Sequence, residues 1–152
     1  IPAGLPAGNN FYYCLGDATF HAGNGPNGNN VFFIDGNLVI DGNLTIGATD
    51  TATFIVKGNI TVEPAVTRID GIYIAGGTFN SANVNGAQLV VNGAVYANTA
   101  QLGRTLADSG CGVAPCDNTV HPAEQFNFAL KYLVGLNSVL GSPSLSWKEV
   151  AP

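Results

Sequence analysis

A short phrase recurs through the middle of this chain: an apolar residue, a polar residue, Gly, then apolar positions in alternation. It reads Ile34-Asp35-Gly36-Asn37-Leu38-Val39-Ile40 and continues at once as Ile40-Asp41-Gly42-Asn43-Leu44-Thr45-Ile46. It returns as Val56-Lys57-Gly58-Asn59-Ile60-Thr61-Val62, as Ile69-Asp70-Gly71-Ile72-Tyr73-Ile74, and as Val91-Asn92-Gly93-Ala94-Val95-Tyr96. Short β-branched runs punctuated by Gly and Asn predict stacked strands with tight corners. Gly36, Gly42, Gly58, Gly71 and Gly93 mark equivalent corners, at uneven spacing. The step from Gly36 to Gly42 suits one face of a triangular coil, and the longer steps suit whole turns with insertions. One turn cannot bury its own apolar side; stacking against the next turn does that. The expected fold is therefore all-β: a single-domain β-solenoid, or β-helix, with an N-terminal arm and a partly helical C-terminal cap.

Alternation predicts which side chains enter the core. Leu38, Ile40, Leu44 and Ile46 should face one side, with Asn37, Val39, Asn43 and Thr45 on the other. Ile60, Val62, Ile72 and Ile74 are expected inward by the same count. The boundaries follow from composition. Residues 1–30 read as an irregular arm: Pro2-Ala3-Gly4 is repeated as Pro6-Ala7-Gly8, Phe11-Tyr12-Tyr13-Cys14-Leu15 reads as a short strand or a lid, and Asn24-Gly25 and Asn27-Gly28 are turn signals. Residues 31–106 hold the solenoid. Residues 107–152 form a cysteine-bearing loop and the cap, with a helix expected over 121–136 from Pro122 at its first turn and from Phe126, Leu130 and Leu133 at helical spacing. That helix should cover the last turn, since an exposed solenoid end needs a cover.

Charge excludes several partners. The chain of 152 residues has five Lys and Arg against ten Asp and Glu, for a formal net charge of -5. No basic patch for nucleic acid can be assembled from so few cations. The most apolar stretch, Phe126 to Leu140, is interrupted by Asn127, Lys131, Gly135 and Asn137, so no membrane insertion is expected in this segment. Asn, Thr, Gly and Ser carry most of the polarity, a palette suited to an extracellular or cell-surface setting. The chain holds no Met, so Ile1 is read as following a processing or trimming point, and a removed signal or anchor would not be visible.

The three cysteines are Cys14, Cys111 and Cys116. In an oxidising compartment the short loop favours a Cys111–Cys116 disulfide, leaving Cys14 unpaired or bonded to another chain. Pairing of Cys14 with Cys111 or Cys116 stays open. Cys111, Cys116 and His121 offer only three metal ligands at loose spacing, so no metal and no cofactor is expected. Asp35, Asp41 and Asp70 precede corner glycines and raise the question of calcium. Lys57 and Asn92 fill the same slot, which argues for turn chemistry. Arg68 with Asp70 is the nearest approach to a polysaccharide-cleaving pair and reads better as an ion pair. His21 and His121 lack a nucleophile elbow. Phe32, Phe33, Tyr73, Phe79 and Tyr96 could stack sugars and more often would pack the core. The Asn43-Leu44-Thr45 and Asn59-Ile60-Thr61 acceptor triplets are what an Asn-rich chain contains by chance.

From Ile34 onward the chain resembles an uncharacterised extracellular β-solenoid surface-protein family of small-genome bacteria. The resemblance is carried by Ile34-Asp35-Gly36-Asn37-Leu38, Thr53-Phe54-Ile55-Val56-Lys57-Gly58-Asn59-Ile60, Thr67-Arg68-Ile69-Asp70-Gly71-Ile72-Tyr73-Ile74 and Gln88-Leu89-Val90-Val91-Asn92-Gly93-Ala94-Val95-Tyr96-Ala97. It continues through Leu102-Gly103-Arg104 to Ser146-Trp147-Lys148-Glu149-Val150-Ala151-Pro152. It implies a cell-surface location. The repeated phrase is also similar to bactofilins, which polymerise end to end; the cysteines, uneven turns and bulky C-terminal segment depart from that pattern.

The function expected is that of a non-enzymatic extracellular structural protein, a subunit of a self-assembling filament or surface layer whose partners are copies of itself. Ile1, Leu5, Phe11, Tyr12 and Tyr13 in the arm and Trp147 and Val150 in the tail are the expected contacts, since arm exchange can join one copy to the next. A carbohydrate-binding or adhesive surface module, with glycans as partners, is the alternative. A polysaccharide-degrading β-helix enzyme is the third.

Overall fold

A computed structural model describes residues 7–83, 87–106 and 120–141. In chain order the elements are β1 Asn10–Cys14, β2 Ala18–Phe20, β3 Gly23–Asn24, β4 Asn29–Ile34, β5 Leu38–Ile40, β6 Leu44–Thr45, β7 Thr51–Val56, β8 Ile60–Val62, β9 Arg68–Asn80, β10 Leu89–Gln101, β11 Glu124–Asn127 and the helix α1 Leu130–Leu140. The strands pair in parallel and wind into a β-solenoid of about four turns. Three faces result. One stacks β1, β4, β7, the middle of β9 and β10; the second stacks β2, β5, β8 and the end of β9. The third stacks β3, β6, the start of β9, the start of β10, and β11.

Register gives the length of each turn. Tyr12 lies beside Phe32, Phe32 beside Phe54, Phe54 beside Tyr73, and Tyr73 beside Val95. The uneven steps are absorbed at the corners. β9 and β10 bend through a corner without leaving the ladder, at Gly71 (φ +132°) and Gly93 (φ +150°). A methyl group on Gly93 would collide with the Gly71 carbonyl oxygen, so glycine is required there twice over, by space and by conformation.

The core is the interior of the coil. Leu38, Ile40, Leu44, Ile60, Val62, Ile69, Phe79, Leu89 and Val91 are fully buried. Each such side chain contributes roughly 1.5–3 kcal/mol relative to exposure. The inward set predicted from alternation holds for Leu38, Ile40, Leu44, Ile46, Ile60 and Val62. It fails for the pair in β9. Counting from the inward Ile69, the next inward positions are Tyr73 and Ala75, and Tyr73 stacks on Phe54 inside the coil. Ile72 and Ile74 lie on the opposite side of the strand from Tyr73, where Ile72 is nonetheless buried and Ile74 half-buried against the core.

Three expectations need correction. The arm assigned to residues 1–30 does not hold for residues 10–24, because β1, β2 and β3 form the first full turn in register with the second. The helix expected over 121–136 begins later. Glu124–Asn127 is a strand, because the edge of β10 at Leu89–Asn92 offers it a ladder and pairing overrides the local apolar spacing. The C-terminal helix is present, but it lies along the flank against β4 and β7, not across the last turn. On that flank Gly135 of α1 sits close against Thr51 of β7 and Asn29 of β4.

Candidate assembly surfaces

The recurrent Gly-Asn step has a direct structural cause. At one corner the column runs Asp17, Asn37, Asn59, Thr78. The Asp17 carboxylate accepts the Asn37 backbone N–H at 2.7 Å, Asn37 Oδ1 accepts the Asn59 N–H at 2.9 Å, and Asn59 Oδ1 accepts the Thr78 N–H at 2.8 Å. Each side chain satisfies a backbone donor in the following turn, which strand pairing leaves orphaned where the chain bends. Asn43 does the same at another corner, accepting the N–H groups of Thr67 and Arg68 at 2.8 and 3.1 Å. The asparagines of both Asn-x-Thr triplets therefore bond the backbone of the next turn, from exposed positions at the corners. A third column links Asp70, Asn92 and Asn127, with amide donors at 2.8 and 3.0 Å.

The Asp residues of the repeated phrase are each matched to a cationic or imidazole partner. Asp35 accepts Lys57 Nζ at 2.6 Å, Asp41 meets His21 Nδ1 at 2.8 Å, and Asp70 accepts Arg68 Nε and Nη2 at 2.9 Å each. The hydrogen bond to Asp35 raises the Lys57 pKa. Burial works to raise the Asp70 carboxyl, but hydrogen bonds from Arg68, Asn92 and the Ile46 N–H outweigh it and hold that carboxyl below the ordinary aspartate range. No cluster of three metal-ligating side chains occurs among the described residues. Arg68 and Asp70 are thus an ion pair that pins a corner, with Tyr132 nearby, whose phenol burial and Asp70 push up to about 12.

Inside the coil an aromatic ladder spans four turns. Tyr12 stacks on Phe32 at 4.9 Å, Phe32 on Phe54 at 4.9 Å, and Phe54 on Tyr73 at 5.2 Å. The Tyr73 hydroxyl donates to the Asp70 carbonyl at 3.0 Å. The Tyr12 hydroxyl, at the first turn, is buried without a hydrogen-bond partner among the described residues. Of the aromatics considered for sugar stacking, Phe32, Tyr73 and Phe79 are buried, Phe33 is half-buried, and Tyr96 is exposed.

Two ends and one flank remain. At the first turn Phe11, Tyr13 and Leu15 are 54%, 66% and 80% exposed. Among the described residues β1, β2 and β3 have a strand neighbour on one side only. At the other end β10 has no described strand partner beyond β9 from Gly93 to Gln101. There the backbone is gathered by Arg104, named in the sequence only as part of the Leu102-Gly103-Arg104 phrase and with no role assigned to it. Arg104 is buried and donates from Nε to the Ser81 carbonyl at 2.7 Å, from Nη1 to Val66 at 2.6 Å and from Nη2 to Glu63 at 3.0 Å. Burial lowers its pKa, opposed by Glu124. The Glu124 carboxylate accepts the Arg104 backbone N–H at 2.9 Å and the Ser81 hydroxyl. No spacing in the sequence marks this clasp. On the flank, a shallow groove of about 480 Å³ lies between α1 and the 48–51 loop. Lys131 beside it donates to the Gly47 carbonyl at 2.7 Å.

Of the expected contact residues, Phe11 and Tyr13 lie exposed on β1 while Tyr12 points inward. Cys14 is a free, half-buried thiol at the end of β1. Ile1, Leu5, Cys111, Cys116, Trp147 and Val150 lie outside the described residues, as does the proposed disulfide. His121 is exposed. No helix among the described residues is long and apolar enough to cross a membrane. No family model matches the chain, and no curated protein or solved structure does either.

Proposed function

We propose that this chain is a non-enzymatic structural subunit of an extracellular filament or surface layer, and that copies join through the ends of the coil. The observation that supports this reading most is the first turn, whose three strands have one edge without a strand neighbour among the described residues, beside exposed Phe11, Tyr13 and Leu15. A parallel strand with an open edge is a template for another. The β10 edge from Gly93 to Gln101 offers a matching surface at the opposite end. The joint has one steric condition. Asn127 holds, at the far end, the corner that Gly8 and Asn9 hold at the near end, where Asn29 Nδ2 donates to Asn9 at 3.1 Å. Residues 7–9 must leave that corner for β1 of one copy to lie under β10 of the next, which makes the segment before β1 the movable part of the contact.

Electron microscopy and sedimentation of the purified chain over a range of concentrations test this. Wild-type protein should form filaments or sheets, and Phe11→Lys with Tyr13→Lys should remain monomeric with an unchanged melting temperature. A wild-type chain that stays monomeric at every concentration would overturn the reading.

A further inference from the structure

We propose that the Asn27–Gly28 bond is a self-modifying site, with Asp50 as the general base that converts Asn27 to a succinimide. Three features converge there. The Gly28 backbone N–H donates to Asp50 Oδ1 at 2.7 Å. Asn27 is exposed, and its carboxamide makes no hydrogen bond among the described residues. Gly28 has no Cβ to obstruct ring closure, and its φ of +86° is a conformation that keeps other residues out. The Asp50 carboxylate is itself held by a tight turn, with its backbone N–H donating to the Gly47 carbonyl at 3.2 Å.

The chemistry balances without a co-reactant other than water. The Gly28 nitrogen attacks Asn27 Cγ as its proton passes to the Asp50 carboxylate. The Cγ–Nδ2 bond breaks, and ammonia leaves with that proton. Water then opens the five-membered ring at either carbonyl, giving Asp or isoaspartate at position 27. General-base assistance at a positioned nucleophile is worth about 10²–10⁴-fold.

The other described Asn-Gly bonds lack this arrangement. The Gly25 N–H donates to the Thr45 carbonyl at 2.7 Å. Asn92 has its amide held between Asp70 and Asn127, and Gly93 sits within β10 in register with Gly71. The consequence of reaction at Asn27 is local and directional. A new carboxylate appears beside Asp50, and isoaspartate lengthens the backbone by one carbon two residues before β4 begins at Asn29. Both changes weaken the join between the first and second turns.

The test is peptide mapping of the whole chain aged at neutral pH in ¹⁸O water. Asn27 should take up label about tenfold or more faster than Asn92, and Asp50→Asn, which keeps an acceptor for the Gly28 N–H, should slow it by about tenfold or more. The same wild-type chain unfolded in urea serves as a second reference, since loss of the fold removes the base. Equal rates in wild type and Asp50→Asn, or conversion no faster folded than unfolded, would overturn the proposal.

Discussion

Asn37 Oδ1 accepts the backbone N–H of Asn59 at 2.9 Å, across one full turn of the coil. One side chain thus serves the corner of the turn that follows its own. Replacing Asn37 by Ala leaves that N–H to water at an exposed corner, at a cost of about 0.5–1.5 kcal/mol. Asn37→Asp keeps the acceptor but replaces the Nδ2 donor to Asp17 Oδ1, at 3.0 Å, with a second carboxylate, so it should cost more than Ala at neutral pH. Thermal melts of the two variants decide this; an equal or smaller loss for Asp would contradict it.

The aromatic ladder makes a stronger claim. Phe54 is stacked on both sides, by Phe32 and Tyr73, and also meets Phe20 edge-on at 6.1 Å. Phe54→Ala should remove about 3–5 kcal/mol, measured by urea unfolding. Phe79→Ala, also fully buried but absent from the ladder, should cost less. The reverse order would show that ring stacking adds little here beyond burial.

Acid stability should depend on Asp70. Its carboxyl is depressed in the folded chain, so its contribution is present in full above the ordinary aspartate value of about 3.9. It is lost as pH falls from there through the lower folded value. Arg68 is half exposed, which limits the contribution to about 1–2 kcal/mol. Asp70→Asn should therefore melt lower at neutral pH and converge with wild type in strong acid. Parallel curves from pH 7 to pH 2 would count against the assignment.

Gly135 sits in the middle of α1, where Ala would raise helix propensity by about 1 kcal/mol. Its α-carbon faces β7, however, and an added methyl would strike Thr51 and stand 2.8 Å from Asn29 Oδ1. Crowding of that kind costs about 1–3 kcal/mol. Gly135→Ala should thus destabilise the docking of α1, seen as faster hydrogen exchange over 130–137 and β4. A more stable, better protected helix would refute the packing argument.

The sequence made the coil legible because its cause is local and repeated: Gly clears the corner, Asn caps it, and alternate residues go inward. Leu38, Ile40, Leu44 and Ile60 followed directly. The first turn was hidden because β2 and β3 span only Ala18–Phe20 and Gly23–Asn24, too short to show alternation among so many turn formers. Glu124–Asn127 was misread because its strand is imposed by the edge of β10, which no local pattern reports. The position of α1 was equally invisible: Leu130 and Val134 remain exposed while Tyr132 is buried, so the docked side is not the one with the most aliphatic residues. Arg104 acts through three backbone carbonyls, and carbonyls leave no trace in a sequence.

Because each corner amide looks after the turn that follows, height in this architecture is modular. Duplicating residues 37–58 would add a storey with its own amide in place, and deleting them would let Asp17-bearing and Asn59-bearing levels meet directly. Gene-level gain or loss of a segment about that long could therefore make taller or shorter relatives without redesign of the interior, while the Arg104 clasp stays fixed as the foundation.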